Sequence, residues 1–299
     1  MNMKKFVLLV VSALVLFSSC IKEIEFDGEL IKPRLVVNAF ITQDSVVMVN
    51  VSHSLNVLDI ASIQPITTAT VKLYDGNGNF LENLQHQSNG DYISPSSITP
   101  GVGSSYRVEV AAIGYDDVSA STSVPSVVSA VVTDTATIEM GQSTFFRLRF
   151  RIQDPAGAGD NYVLRVYRIQ AVINYDGWGN PIDTTYYLNQ EYISSSSIYV
   201  EESGDVFDTR EMLFSRDGLY DGQNVEMDAY IYADTYYPNS SMIFMVMHAT
   251  EEFFLFERSM MKYGFSTGDP FAQPVQIYSN ITKGIGIFAG YNATIVPVY

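Results

Sequence analysis

The sequence predicts a mainly β fold. An N-terminal immunoglobulin- or fibronectin-like sandwich is expected over residues 34–125, followed over residues 126–299 by a second β-rich domain carrying one packed α-helix near residues 250–263. Three observations predict it. Apolar and polar residues alternate with a period of two through many short stretches, the mark of half-buried strands. Clusters of Gly, Asn, Asp and Pro separate those stretches at the short spacing of an all-β domain. One stretch near the C-terminal end instead places its apolar residues at helical spacing behind a capping threonine.

Seven strands are expected in the first region, near residues 34–42, 45–53, 69–74, 79–85, 90–94, 105–112 and 117–123. In the second of these, Val47, Val49 and Val51 alternate with Val46, Met48 and Asn50. In the sixth, Tyr106, Val108 and Val110 share one face and Arg107 and Glu109 the other. Asp75-Gly76-Asn77-Gly78-Asn79, Asn89-Gly90-Asp91 and Thr99-Pro100-Gly101 supply the positive-φ and proline positions that tight turns require. The Asp75 stretch also opens like a calcium-binding loop. That pattern needs Gly at its sixth position and Glu at its twelfth, where this chain has Phe80 and His86, so a hairpin turn is expected.

The boundary falls in Val124 to Asp134, whose valines suggest a strand rather than a linker. Phe146, Leu148, Phe150 and Ile152 then alternate with Arg147, Arg149 and Arg151. Tyr162 to Tyr175 is a long β-prone run ending in Asp176-Gly177-Trp178-Gly179-Asn180-Pro181, a hairpin tip, with Tyr186 to Ile193 as its return strand. Val225, Met227, Ala229 and Ile231 alternate with Glu226, Asp228, Tyr230 and Tyr232, and Ser241 to Met247 reads as a central strand covered on both faces. In the helix, Thr250 is the expected N-cap and Glu251 and Glu252 complement the dipole, while Gly264 fits the position after the last turn. Phe253, Phe256 and Met260 form its apolar stripe, broadened by Phe254 and Met261.

Composition narrows the function. Of 299 residues 47% are hydrophobic and 17% charged, which suits folded cores rather than disorder. A net charge of −16 argues against nucleic acid as a partner, because phosphate neutralisation needs a basic face. The single cysteine excludes an intrachain disulfide and a cysteine-rich zinc site. Lys4 and Lys5 precede an apolar run from Phe6 to Phe17 that is too short to span a bilayer as a helix. With Ser18 and Ser19 it reads as a secretory signal peptide over residues 1–19. Cys20 follows directly, at the position of the lipidated residue of a bacterial lipobox, so the membrane is expected as a partner through lipid on Cys20. Residues 20–33 are then the lipidated cysteine and an acidic tether, in which Ile21-Lys22-Glu23-Ile24-Glu25-Phe26-Asp27 resembles the signal for the outer face of the outer membrane.

Three further groups of residues carry a resemblance: Asp269-Pro270-Phe271-Ala272-Gln273-Pro274, Tyr278-Ser279-Asn280-Ile281 and Gly284-Ile285-Gly286-Ile287-Phe288 near the end, Asp154-Pro155 and Asn161-Tyr162 in the middle, and Asp217-Gly218-Leu219-Tyr220-Asp221-Gly222. With the lipobox they resemble the Bacteroidota outer-membrane lipoprotein family of unknown function DUF4249. Val163 and Gln273 depart from its usual pattern. The resemblance implies an outer-membrane lipoprotein and, since members are often encoded beside TonB-dependent receptors, a role in nutrient uptake with such a receptor as partner. It brings no catalytic residues and no cofactor. Read physically, the final strings are structural: Pro270 and Pro274 punctuate, Asn280 bonds its own backbone in a turn, and Gly284 and Gly286 permit close backbone approach.

The residues themselves carry no catalytic signature. Neither H-E-x-x-H nor G-x-S-x-G occurs, and His53, His86 and His248 lack neighbours at ligand spacing, so no metal site is expected and His248 is read as a packing or capping residue. Glu201 and Glu202 make a poor acid/base pair, because strand neighbours face opposite ways. The Arg147, Arg149 and Arg151 ladder reads as a solvated face rather than an anion site. A non-enzymatic protein is expected, the alternatives being a surface adhesin or a hydrolase whose carboxylates converge from distant segments. Trp178 is the best binding candidate. It either packs locally or, exposed on a Gly-rich tip, stacks on a sugar or anchors a protein interface. Tyr186 and Tyr187 are the accompanying ligand-contact candidates, whereas Tyr230, Tyr232, Tyr236 and Tyr237 are strand formers first. Asp44-Ser45-Val46, Asp134-Thr135-Ala136 and Asp183-Thr184-Thr185 resemble an O-glycosylation motif.

Overall fold

The computed structural model describes residues 32–56, 62–233, 240–267 and 272–298. The signal peptide, Cys20 and the tether as far as residue 31, together with Tyr236, Tyr237, Asp269, Pro270 and Phe271, lie outside the described residues. The first region contains the seven expected strands: β1 (Leu35–Ile41), β2 (Met48–His53), β3 (Thr70–Asp75), β4 (Phe80–His86), β5 (Asp91–Ile93), β6 (Ser105–Ala111) and β7 (Val118–Ser123). They pair in the order β1-β2-β5-β4-β3-β6-β7. Strand β4 gives its first residues to β3 and its last two to β5, so the sheet turns there and encloses a core. Period-two alternation fills that core with Val37, Val49, Val51, Val71, Leu73, Val108 and Val110, all buried.

The second region contains β8 (Ser129–Met140), β9 (Ser143–Gln153), β10 (Asn161–Tyr175), β11 (Pro181–Gln190), β12 (Ile193–Ser194), β13 (Leu213–Arg216), β14 (Asn224–Tyr232), β15 (Ser240–Ala249), α1 (Glu251–Ser266) and β16 (Ile285–Val298). A four-stranded sheet, β12-β14-β9-β8, lies over β10, β15 and β16. Leu148, Phe150, Ile152, Val225 and Met227 from the first meet Leu164, Val166, Phe244 and Val246 from the second. The opposite face of β10, β15 and β16, through Val163, Met247 and Ile287, packs under Phe253, Phe254 and Met261 of α1. The return strand of the long hairpin ends at Gln190, and Ile193 already belongs to the other sheet.

Strand β16 links the two regions. Ile285 to Gly290 pair in parallel with β1, and residues Tyr291 to Val298 pair antiparallel with β15. One continuous path of strands, β11-β10-β15-β16-β1 onward, results. Alternation along β16 sends Phe288 into the first core and Ile287 and Ala289 into the core beneath α1. Close approach here requires glycine, as expected at Gly284 and Gly286 and also at Gly290, which the sequence reading did not single out. A β-carbon on Gly286 (φ +109°) would lie 2.1 Å from the Val37 carbonyl oxygen, and one on Gly290 1.8 Å from that of Ser123.

Three local expectations are corrected. Gly264 lies inside α1, which runs to Ser266 and is capped by Thr267. The helix presents Phe253, Phe254 and Met261 to the sheet, and Met260 is 40% exposed, because the contact face is centred one position away from the expected stripe. Asn280 does not bond its own turn. Its amide donates to the Phe288 carbonyl at 2.7 Å and its Oδ1 accepts from Phe288 N at 2.9 Å, so a side chain stands in for a neighbouring strand. Thr250 caps as expected, its hydroxyl accepting from Phe253 N at 3.4 Å.

Candidate functional site

Strand β10 outruns its inner neighbour. Among the described residues its pairing with β15 ends at Gln170, opposite Ser240, while its pairing with β11 continues to Tyr175. Among the described residues, 171–175 and their partners form a two-stranded arm, about 16 Å long at 3.3 Å per residue. The tip is Asp176-Gly177-Trp178-Gly179-Asn180. Asp176 Oδ1 accepts from the backbone N of Trp178 and of Asn180, each at 2.8 Å, and Asp176 Oδ2 accepts from the Asn180 amide at 3.1 Å. These bonds hold the Asp176 carboxyl below its ordinary range, those from Asn180 foremost.

The same turn occurs at Asp75-Gly76-Asn77-Gly78-Asn79, where Asp75 Oδ1 accepts from Asn77 N and Asn79 N, each at 2.9 Å. Comparing the two separates what the turn needs from what it carries. Aspartate, the second glycine and the final asparagine recur with the same bonds. The central residue contributes only its backbone N–H. Its side chain is free to vary, and in the arm it is the chain's one tryptophan, 91% exposed. The local-packing alternative for Trp178 is thereby removed. The repeated D-G-x-G-N string was the sequence signal that distinguishes the two readings.

Register assigns the two tyrosines to opposite faces. Tyr186 pairs with Ala171 and Leu188 with Ile169, whereas Tyr187 pairs with Gln170. Val163 packs under α1, so the odd-numbered residues of β10 and their partners face the α1 side. Ile173, Tyr175, Tyr186 and Leu188 consequently make an exposed apolar strip there. At the foot of the arm on that side is a groove of about 480 Å³, lined in part by Gln190, Tyr192, Met260, Met261 and Phe265. That volume is within the range of small-molecule sites. One wall holds Arg165 and Glu257, paired at 2.7 Å. Burial pushes the Glu257 carboxyl up, against the opposing pull of Arg165.

A second cluster was only partly legible. Asp154, Asp160 and Asp217 bring carboxylate oxygens within 4.8 Å of one another. The middle strings quoted above converge here. Tyr162 Oη donates to Asp154 Oδ1 at 2.5 Å, Gly222 N donates to Asp154 Oδ2 at 2.8 Å, and Gly159 N donates to Asp217 Oδ2 at 2.9 Å. Asp154 is raised above the ordinary carboxylate range by burial, with Asp160 and Asp217 adding to it. Such oxygens suit a hard divalent cation, but Asp154 already has both of its oxygens occupied by protein donors, and Asp154 and Asp217 are buried.

The profile of a family described as "Domain of unknown function (DUF4249)" matches residues 21–295. The chain belongs to the DUF4249 family. The match spans both cores, the arm and the acidic cluster. No curated protein matches the chain, and no solved structure does. Among the described residues no helix is long and apolar enough to cross a membrane.

The remaining candidates of this DUF4249 chain are placed as follows. His248 is buried and stacks on Tyr162 at 5.3 Å. Its Nε2 lies 2.8 Å from Asp160 Oδ1, and its Nδ1 lies 2.8 Å from the Ser126 carbonyl oxygen. A carbonyl only accepts, so Nδ1 is a donor and is unable to take a proton from Ser126 Oγ, 3.4 Å away. Ser126, His248 and Asp160 thus form a structural pin and not a nucleophile with its base. His53 stacks on Tyr115, and His86 packs against Tyr92 with its ring tilted by 59°, both in the first region. The Arg147, Arg149 and Arg151 face is neutralised by Asp134, Asp228 and Glu226, Arg149 gripping Asp228 at 2.7 and 2.9 Å. Glu201 and Glu202 occupy a turn rather than a strand, and both are ion-paired to α1. Tyr230 is buried and Tyr232 packs against Phe145 with the rings tilted, centroids 4.5 Å apart.

Proposed function

We propose that this DUF4249 protein is a non-enzymatic, lipid-anchored outer-membrane lipoprotein of the cell exterior that acts as an accessory or ligand-binding partner of a TonB-dependent transporter in nutrient uptake. The arm carries this reading. A large aromatic side chain with no structural task, held 91% exposed on a rigid turn above an apolar strip, is an expensive feature for a protein with nothing to bind.

Strand directions add to it. Strand β15 runs antiparallel to both β10 and β16, and β16 runs parallel to β1, so β10 and β1 point the same way. The start of β1 is level with Ile285 at one end of β16, and Arg168 is level, through Met242, with Val298 at the other. The arm therefore projects from the end of the β body opposite to that where β1 begins, on the order of 60 Å away at 3.3 Å per residue. Such an arm stands clear of the β body, free to meet a ligand or a transporter loop.

Fractionation and detergent extraction test the two halves of the reading. Cys20→Ser is expected to move the protein from the membrane to the soluble fraction; retention in the membrane contradicts the anchor. Under mild extraction the wild-type protein is expected to co-purify with a large β-barrel, and Trp178→Ala to lose it. A barrel-free wild-type protein contradicts the transporter partnership.

A further inference from the structure

Strand β11 ends the twelve-stranded sheet, and no strand lies beside its outer edge among the described residues. One bond shows which backbone groups that edge presents. Glu191 N donates to the Val166 carbonyl at 2.9 Å. In an antiparallel ladder the mutually bonded pairs recur at every second residue, so Asn189, Tyr187, Thr185 and Asp183 are bonded to β10. The N–H and C=O groups of Ile182, Thr184, Tyr186, Leu188 and Gln190 accordingly point away from it.

Free edges in native sheets are usually guarded by lysines, prolines, bulges or a covering segment. From Ile182 to Gln190 the only charged residue is Asp183, Pro181 stands at the very start, and the one register shift lies at Asn174/Tyr175. Tyr175, Trp178, Ile182, Tyr186, Tyr187 and Leu188 are each more than half exposed. With aromatic side chains burying 150–250 Å² each, this amounts to roughly 800 Å² of apolar surface, the share that one partner contributes to a standard interface.

We propose that this edge pairs antiparallel with β11 of a second copy of the chain, about a two-fold axis through Tyr186. The strand is complementary to itself in that register. Tyr186 faces its own counterpart, Thr184 faces Leu188, Ile182 faces Gln190, and Asp183 faces the neutral Asn189, so no like charges oppose. The outward-pointing residues of the two edges are also the ones that meet, as ladder bonding requires. The same symmetry sets Asn180 level with Tyr192 of the second copy. The Trp178 tip of each arm then comes alongside the foot of the other, where the 480 Å³ groove lined by Tyr192, Met260 and Phe265 opens. Each copy is strongly acidic, so association strengthens as salt screens the repulsion.

The test is disulfide trapping of the full-length chain in its membrane, with a copper–phenanthroline oxidant. Facing residues of a bonded antiparallel pair have Cα atoms about 5.5 Å apart, within disulfide reach. Tyr186→Cys is expected to give a covalent dimer at least about tenfold faster than Ile113→Cys, a control on a 97% exposed loop where only collision joins two copies. The wild-type chain measures the background from Cys20. Adding Thr184→Pro removes an outward N–H without touching the ladder to β10 and is expected to abolish trapping. Trapping of Tyr186→Cys no faster than that of Ile113→Cys overturns the proposal, as does trapping that survives Thr184→Pro. Emission from Trp178, the sole tryptophan, separates the other occupant. A blue shift on phosphatidylcholine vesicles with no trapped dimer makes the arm a bilayer contact and overturns the pairing.

Discussion

Glu202 offers a measurable account of how the loop between β12 and β13 is held against α1. It sits at φ +54°, a conformation that a side chain disfavours. Its carboxylate is paired with Lys262 at 2.8 Å, Arg210 at 2.9 Å and Arg258 at 3.0 Å, two of these from the helix. Lys262 foremost, then Arg258 and Arg210, hold its pKa at about 2 against the opposing effect of burial, from an ordinary value of 4.5. At 1.36 kcal/mol per tenfold this corresponds to about 3 kcal/mol. The side chain is 37% exposed, and solvent screening reduces the figure to about 1 kcal/mol. A depressed carboxylate stabilises the fold fully above pH 4.5 and loses that contribution as pH falls toward 2. Glu202→Gln is therefore expected to cost about 1 kcal/mol at pH 7 and progressively less below pH 4.5. Asp154, raised by burial, works in the opposite sense, its ionised form lowering stability as pH rises above 3.8. It titrates in both proteins, so the gap between them isolates Glu202. Urea unfolding followed by far-ultraviolet circular dichroism at pH 7, 5 and 3 measures the gap; emission from the exposed Trp178 is a poor reporter. A gap that is absent at pH 7, or unchanged at pH 3, refutes the ion-pair account.

Other variants test the remaining parts of the architecture. Phe254 is fully buried, edge-on to Phe214 at 5.1 Å and beneath the Arg216 guanidinium at 4.6 Å, so Phe254→Ala is expected to cost about 3–5 kcal/mol in urea unfolding at unchanged m-value. Gly290→Ala places a methyl 1.8 Å from the Ser123 carbonyl oxygen and forces β7 from β16; a thermal melt is expected to show a loss much larger than for a surface change. Trp178→Ala, by contrast, is expected to stay within about 0.5 kcal/mol of wild type in urea unfolding, since its side chain supports nothing in the turn.

The strands of the first region were legible because each buries one face and leaves the other in water, which writes a period of two into the residues. The arm tip was legible as a turn for the same local reason, through its Gly and Asn positions. The stripe of α1 was displaced by one position, because helical spacing defines a face only to within the width of a side chain and packing against Val163 and Met247 chooses its centre. Asn280 was read as local, yet its bonds reach Phe288 eight residues on.

By itself the sequence determined what depends on short spacing: the β class, the strands and turns, the capped helix, the family, and the expectation that lipid on Cys20 is the membrane attachment. Tertiary structure alone decided what depends on long-range pairing. It showed that Gly284 to Phe288 open a strand shared by both regions, that three distant aspartates meet, and that Trp178, Tyr186 and Leu188 stand exposed on one unguarded arm. The physical reason is that strand partners are chosen by backbone hydrogen bonds, which every residue but proline offers in full. Which edge is left unpaired is settled only when the whole sheet has formed.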